Sequence, residues 1–81
     1  MNVRYAKRLL KSYTAAPEEV RRAFDKQVPL LLANLRHPSL HAKKYDEARD
    51  VWQARINRDW RFYFKISDDT YEIVGMKPHP G

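Results

Sequence analysis

The 81-residue sequence contains no cysteine, only two glycines, and fewer acidic than basic residues. Without cysteine it can form no disulfide, no thiolate nucleophile and no cysteine-ligated zinc site, which favours the cytoplasm over secretion. The glycines, Gly75 and Gly81, are too few and too far apart to form a phosphate-cradling loop. No apolar run reaches the ~18 residues of a membrane span, and residues 1–8 lack the apolar stretch of a secretory signal. We therefore expect a soluble intracellular protein that does not associate with membranes.

The charge balance points to a polyanionic partner. Lys and Arg number 16 against 10 Asp and Glu, so the formal net charge is +6 at pH 7. Phosphate groups attract such a surplus through Coulomb interaction and the release of counterions. The partner could also be an acidic protein, or the charge could be evenly spread and only solvated, with no particular partner. The positions of the basic residues decide between these possibilities.

The apolar pattern changes its period once, near the middle of the chain, which predicts one α+β domain spanning residues 1–81. Residues 2–5 are typical of a short strand, and helical spacing follows over residues 6–13. A second helix begins at Pro17, whose fixed φ suits a first turn, and its apolar stripe extends to Leu35. Pro29 lies inside that stripe, and we expect it to kink the helix. The two helices form a hairpin that must bury its apolar side against another element.

The second half of the chain is rich in strand-forming residues. Residues 36–50 contain few large apolar side chains and predict a long loop with one turn of helix. Aromatic and β-branched residues then predict strands over residues 51–57, 60–66 and 70–76. The expected architecture is a small, mainly antiparallel sheet of three or four strands, with the two N-terminal helices packed on one face.

Alternation of apolar and polar residues predicts how these strands pair. Burying both apolar faces together requires an odd number of loop residues, which residues 57–59 supply. Ala54 then lies opposite Phe62, and Arg55 opposite Arg61. A two-residue turn at Asp68 and Asp69 sets the next pairing. The pairs expected there are Ile66–Tyr71, Lys65–Glu72, Phe64–Ile73, Tyr63–Val74, Phe62–Gly75 and Arg61–Met76.

This register places Arg55 and Arg61 side by side on the face away from the helices, with Lys77 and His79 emerging beside them. Like charges directly across a sheet destabilise it, so the arginine pair is unusual as scaffolding and sensible as an anion site. The alternative is that each arginine covers the sheet with its stem and meets a carboxylate from residues 46–50.

Other groups of side chains give only weak evidence for a metal site or a nucleophile. His37 and His41 have i, i+4 spacing, but Pro38 breaks any helix between them and no third ligand stands at a recognisable spacing, so we expect no metal site. None of the serines has a neighbouring base that would make it a nucleophile.

The sequence resembles the RelE/ParE toxin superfamily, the small toxins of bacterial type II toxin–antitoxin systems. The resemblance covers nearly the whole chain. It rests on the helical hairpin after a first strand, on His-Pro-Ser-Leu at 37–40 followed by Ala-Lys-Lys-Tyr at 42–45, and on residues 52–64. This last run has the form Trp-x-x-Arg followed by Arg-Phe-x-Phe, and it precedes a final strand and His79.

The resemblance implies a fold with two helices on one side of an antiparallel sheet and a basic concave surface on the other. It also implies an endoribonuclease that cuts mRNA in the A site of the 70S ribosome, where a ribose 2′-hydroxyl attacks the adjacent phosphate. That reaction needs charge stabilisation and proton transfer, and no metal or organic cofactor is implied. A cognate antitoxin, acidic or amphipathic, would neutralise the toxin and stabilise this small domain.

The resemblance also assigns roles to individual residues. Arg61 is implied to grip the scissile phosphate bidentately, Arg55 to be a second phosphate ligand, and His79 to be the general acid or base. Several nuclease members have a tyrosine after this last position, where the present sequence has Pro80. The residues expected to bind RNA or the ribosome are His41, Lys43, Lys44, Arg58, Tyr63 and Lys77.

A noncatalytic branch of the same superfamily, which binds and inhibits DNA gyrase, is the alternative function. A third possible function is that of a basic binding module that has lost its activity and binds RNA without cutting it. The basic constellation favours the nuclease, because the gyrase-binding branch largely lacks it, although a shared fold does not by itself determine function.

Overall fold

The computed structural model describes residues 1–80, which form a five-stranded mixed sheet, two α-helices and one 3-10 turn. The strand order is β1-β5-β4-β3-β2, in which β1 is parallel to β5 and all other neighbours are antiparallel. No helix in this part of the chain has the length and apolar character needed to cross a membrane. In chain order the elements are β1 (Asn2–Tyr5), α1 (Lys7–Ala15), α2 (Glu18–Ala33), the 3-10 turn (Pro38–Leu40), β2 (Lys43–Asp46), β3 (Val51–Arg55), β4 (Trp60–Ser67) and β5 (Thr70–Pro78).

The α+β class and the presence of two α-helices are confirmed, but a strand precedes both helices and a 3-10 turn follows them, so helical structure is not confined to the N-terminus. α2 has Glu18 and Glu19 in its first turn, where the helix dipole favours acidic residues. The helix continues through Pro29 and ends at Ala33, before the predicted end of its apolar stripe. Its Phe24 packs edge-on against Phe62 of β4, with 5.4 Å between ring centroids. With Leu9 of α1 and Phe64 of β4, these side chains form the centre of the core.

The sheet has more strands than the three or four predicted. β2 lies within residues 36–50, where we predict a loop, and its sequence Lys-Lys-Tyr-Asp carries no apolar alternation. It forms because it pairs with the edge of β3, with Lys43 opposite Gln53 and Lys44 opposite Trp52. Such a strand depends on its neighbour rather than on its own propensity. The helical turn expected in this segment is present, as the 3-10 turn at Pro38–Leu40.

The pairing of β4 with β5 contains a β-bulge that the sequence analysis missed. The pairs near the turn are as predicted, including Phe64 with Ile73. The register shifts between Phe64 and Tyr63, so that the β4 residues that precede Phe64 each pair one position further along β5 than predicted. The predicted pairs Tyr63–Val74, Phe62–Gly75 and Arg61–Met76 are therefore wrong, and the observed ones are Tyr63–Gly75, Phe62–Met76 and Arg61–Lys77.

The bulge determines which β5 side chains enter the core. Because Val74 is the extra residue, Met76 shares the buried face with Phe62 and is 5% exposed. Lys77 is exposed on the opposite face, beside Arg61. We call this opposite face, which does not carry the hydrophobic core, the open face.

The bulge can be tested by stability measurements on two adjacent residues. We expect Met76→Ala to lower the free energy of unfolding by about 2–4 kcal/mol, because it removes a buried side chain and leaves a cavity. Lys77→Ala should change it by about 0.5 kcal/mol or less, since the lysine is exposed. Urea unfolding followed by circular dichroism measures both, and equal or reversed losses would contradict the bulged register.

Candidate functional site

Three cations lie side by side across the open face. Arg55 of β3 pairs directly with Arg61 of β4, as predicted, and Arg61 pairs with Lys77 of β5. Residues directly opposite in antiparallel strands share a face, so the three side chains form a line across the sheet. We call Arg55, Arg61 and Lys77 the cationic row.

Within residues 1–80 no carboxylate forms an ion pair with the cationic row. The predicted alternative, in which residues 46–50 supply a carboxylate to each arginine, is not what forms, because Asp46 and Asp50 pair with other basic residues. The row therefore carries adjacent like charges without a protein counter-ion, an arrangement that suits an anionic ligand. The ion pairs present are Arg4–Glu72, Arg22–Glu18, Lys44–Asp50 and Arg49–Asp46.

Arg61 is 8% exposed and also holds the turn between β3 and β4. Its Nη1 donates to the carbonyl oxygens of Asn57 at 2.8 Å, Trp60 at 2.9 Å and Arg58 at 3.3 Å. Burial lowers the pKa of the Arg61 guanidinium, and the neighbouring Arg55 charge lowers it further. Nε and Nη2, the edge that can bind a phosphate bidentately, make no hydrogen bond to the described residues.

Arg55 contains an unsatisfied donor. Its Nε is buried and has no hydrogen-bond partner among the described residues. A buried donor without a partner costs about 1–3 kcal/mol, so an anion placed beside it would be stabilising. The backbone of the same residue is held firmly, because its carbonyl oxygen accepts a hydrogen bond from Gln27 Nε2 of α2 at 2.8 Å.

His79 follows Lys77 of the cationic row by two residues and lies directly after the end of β5. β5 extends to Pro78, opposite Trp60, and the His79 backbone N–H donates to the Asp59 carbonyl oxygen at 2.7 Å. This bond ties the chain after β5 to the β3–β4 turn, which also carries the exposed Arg58. The imidazole of His79 is exposed.

The structure separates the two neighbouring lysines of β2. Lys43 pairs with Gln53 and is exposed on the open face, two residues after the exposed His41. Lys44 pairs with Trp52, lies on the other face, and forms an ion pair with Asp50. That hydrogen bond to Asp50 raises the pKa of Lys44. Of the two lysines predicted to bind RNA, Lys43 therefore shares the face of the cationic row and Lys44 does not.

Tyr63 follows Arg61 by two residues on β4, so it lies on the same open face, and it borders a cavity of about 800 Å³. Burial raises the pKa of its hydroxyl, although Lys77 and Arg61 oppose the shift, so the hydroxyl stays protonated at neutral pH. Several other basic and aromatic residues of this cavity were not predicted from the sequence. Arg8 and Lys11 share one face of α1 by their i, i+3 spacing, but nothing in the sequence shows that this face meets β5. The missed residues are Arg8, Lys11, Tyr45 and Arg49.

The arrangement can bind a phosphodiester and move a proton. The cationic row offers guanidinium and ammonium donors that stabilise negative charge on phosphate oxygens, and the imidazole nearby can accept or donate a proton. In the described part of the chain, no three His, Asp or Glu side chains are grouped so that they could hold a metal ion.

No protein-family model matches the sequence, and no curated protein matches it either. Solved structures match its fold closely. A chain of the RelE–RelB complex from Pyrococcus horikoshii OT3 has a TM-score of 0.77 at 21% identity, over 95% of this chain and 92% of that chain. The YoeB/ParE toxin from Agrobacterium tumefaciens has a TM-score of 0.80 at 12% identity, over 99% and 100%. YafQ from E. coli has a TM-score of 0.79 at 16% identity, over 95% and 91%.

These similarities show that the chain has the same fold as the matched RelE–RelB, YoeB/ParE and YafQ structures. The resemblance seen in the sequence is thereby confirmed at the level of the fold. At these identities the function of the matched proteins does not follow from the shared architecture.

The strain in the cationic row predicts a stabilising substitution. Arg55→Met retains an apolar stem but removes the unpaired Nε and one of the adjacent charges, so the free energy of unfolding should rise by about 1 kcal/mol. Arg58→Met removes the same charge from the exposed turn and should change it by about 0.5 kcal/mol or less. Urea unfolding of both variants measures these changes. A loss of stability in Arg55→Met would show that the unpaired Nε and the adjacent charges of the cationic row do not destabilise the fold.

Proposed function

We propose that the protein is the toxin of a type II toxin–antitoxin system and an endoribonuclease that cleaves mRNA in the A site of the 70S ribosome. The observation that carries this proposal is the cationic row, which holds three adjacent cations and no carboxylate partner within residues 1–80. The RelE/ParE fold supports it, because proteins of this architecture include RelE, YoeB and YafQ. Cleavage of translated mRNA would stop protein synthesis in the cytoplasm.

In the proposed reaction, the ribose 2′-oxygen attacks the adjacent phosphorus and the bond from phosphorus to the 5′-oxygen of the next nucleotide breaks. The products are a 2′,3′-cyclic phosphate and a 5′-hydroxyl end. The free Nε and Nη2 edge of Arg61 and the unpaired Nε of Arg55 stabilise the negative charge on the non-bridging phosphate oxygens. One proton leaves the 2′-hydroxyl and one reaches the 5′-oxygen; His79 serves one of these transfers and a solvent water serves the other.

The proposed function includes a cognate antitoxin. The matched RelE from Pyrococcus horikoshii is in a complex with RelB. In the present protein, an acidic antitoxin segment placed over the open face would supply the carboxylates that the cationic row lacks. It would stabilise the toxin and occupy the site of the substrate phosphate at the same time.

A cell-free bacterial translation reaction tests the proposal, with 5′ ends of a reporter mRNA read by primer extension. We expect wild-type protein to produce new ends only while the mRNA is translated. Arg55→Met should reduce the cleavage rate by about 10²-fold, because it removes a donor to the developing negative charge. Lys26→Ala, an exposed change on α2, is the matched control and should cleave at the wild-type rate.

Arg61→Ala should abolish cleavage, and it should also lower the free energy of unfolding by about 1–3 kcal/mol because three carbonyl oxygens lose their donor. Arg55→Met and His79→Ala remove groups from the site without that loss, so they are the decisive variants. Cleavage at the wild-type rate by the folded Arg55→Met variant would contradict the proposed function. Intact mRNA and undisturbed translation with the wild-type protein would do the same, and a supercoiling assay would then test inhibition of DNA gyrase.

A further inference from the structure

A basic cleft between α1 and the open face takes no part in the reaction described above. It is the cavity of about 800 Å³ beside the cationic row, within the range of about 300–1,000 Å³ that is usual for ligand sites. We call it the α1 cleft and define it by Arg8 and Lys11 of α1, Tyr45 of β2, Tyr63 of β4 and Lys77 of β5.

The ends of the strands explain why the α1 cleft exists. β1 stops at Tyr5, opposite Ile73, so within residues 1–80 the part of β5 that follows the bulge has no strand on its outer side. α1 lies there instead, and Ser12 Oγ accepts a hydrogen bond from the Met76 backbone N–H at 3.4 Å. This contact holds α1 against β5 and brings the helix face with Arg8 and Lys11 to the rim of the cavity.

The floor of the α1 cleft is aromatic and partly open to solvent. Tyr45 is 53% exposed, and its ring centroid is 4.8 Å from that of Tyr63. Lys77 Nζ lies 5.7 Å from the Tyr45 centroid and 5.2 Å from the Tyr63 centroid. Exposed aromatic rings beside cations are typical of sites for single-stranded nucleic acid, where bases stack on the rings and cations contact the backbone.

The charge of the lining also favours a phosphate ligand. The charged side chains that line the cavity are Arg8, Lys11, Arg49 and Lys77 against the single carboxylate of Asp46. Asp46 is already engaged, because its Oδ1 accepts from the Arg49 backbone N–H at 3.1 Å and its Oδ2 lies 3.9 Å from Arg49 Nε. Cations on α1 and Lys77 on β5 thus face the aromatic floor without a competing carboxylate of their own.

We propose that the α1 cleft binds one unpaired nucleotide of the substrate RNA next to the phosphate on the cationic row. The base stacks on Tyr45, and the backbone phosphate on the far side of that nucleotide contacts Arg8 and Lys11. Lys77 belongs to both the cleft and the cationic row, so the two sites are continuous along the strand of RNA. The identity of the ligand as substrate rests on the proposed function, whereas the binding itself does not.

Binding of a labelled, single-stranded, fully 2′-O-methylated hexaribonucleotide tests the charged rim, because this RNA cannot be cleaved. Fluorescence anisotropy gives its Kd over a series of salt concentrations. The double variant Arg8→Ala/Lys11→Ala should bind about tenfold more weakly, and the slope of log K against log salt should become about 0.7 less steep, because both side chains contact the same phosphate. The control Lys7→Ala/Lys26→Ala removes the same charge from exposed positions outside the cleft and should change Kd by about twofold or less.

Variants of Tyr45 test the aromatic floor separately. Tyr45→Leu should weaken binding about tenfold, because the stacking surface is lost. Tyr45→Phe keeps that surface and should bind within about twofold of wild type. Equal effects of the two double variants, equal losses for Phe and Leu, or no binding by the wild-type protein would each overturn the proposal.

The two proposals fail in different ways. If the wild-type protein binds the hexaribonucleotide through the α1 cleft but leaves translated mRNA intact, the proposed nuclease function is contradicted and RNA binding by the α1 cleft is supported. If the wild-type protein cuts mRNA and the cleft variants bind and cut RNA as it does, RNA binding by the α1 cleft is contradicted and the nuclease function is supported.

Discussion

The pairing of β4 with its two neighbours determines which side chains enter the core and which form the open face. At one end, the turn at residues 57–59 aligns Arg55 with Arg61. At the other, the bulge at Val74 directs Met76 inward and aligns Lys77 with Arg61. A slip of one residue would move the buried side chains of β4 to the solvent, so the core holds this register firmly. The three cations are therefore adjacent because the hydrophobic core leaves them no other arrangement.

This constraint connects stability with the proposed function. Burial of Phe62 and Phe64 against α2 supplies stability, while the adjacent charges and the buried Nε of Arg55 reduce it. A phosphate or a carboxylate at the cationic row would relieve that strain. On the proposed function, RNA and antitoxin compete for the same groups, and the toxin is more stable in either complex than alone. Sites that lower stability in this way are common where a protein binds its substrate.

Sequence patterns predicted the part of the fold that depends on local alternation. The odd number of residues in the turn at 57–59 and the apolar faces of β3 and β4 were sufficient to place Arg55 opposite Arg61. β2 could not be predicted, because Lys43–Asp46 carries no strand pattern and forms only against β3. The bulge was hidden because the residues around Val74 are apolar on both faces and allow two registers. The α1 cleft depends on how α1 meets the outer side of β5, a long-range contact that no local spacing encodes.

The central claim is that the cationic row is a phosphate site whose donors are free to bind. NMR of the arginine Nε–Hε groups, recorded while uncleavable 2′-O-methylated RNA is added, tests it most directly. The account predicts that the Arg55 and Arg61 signals shift as the RNA binds, while that of Arg22, paired with Glu18 on α2, stays in place. RNA that binds and leaves the Arg55 and Arg61 signals unmoved would contradict the account.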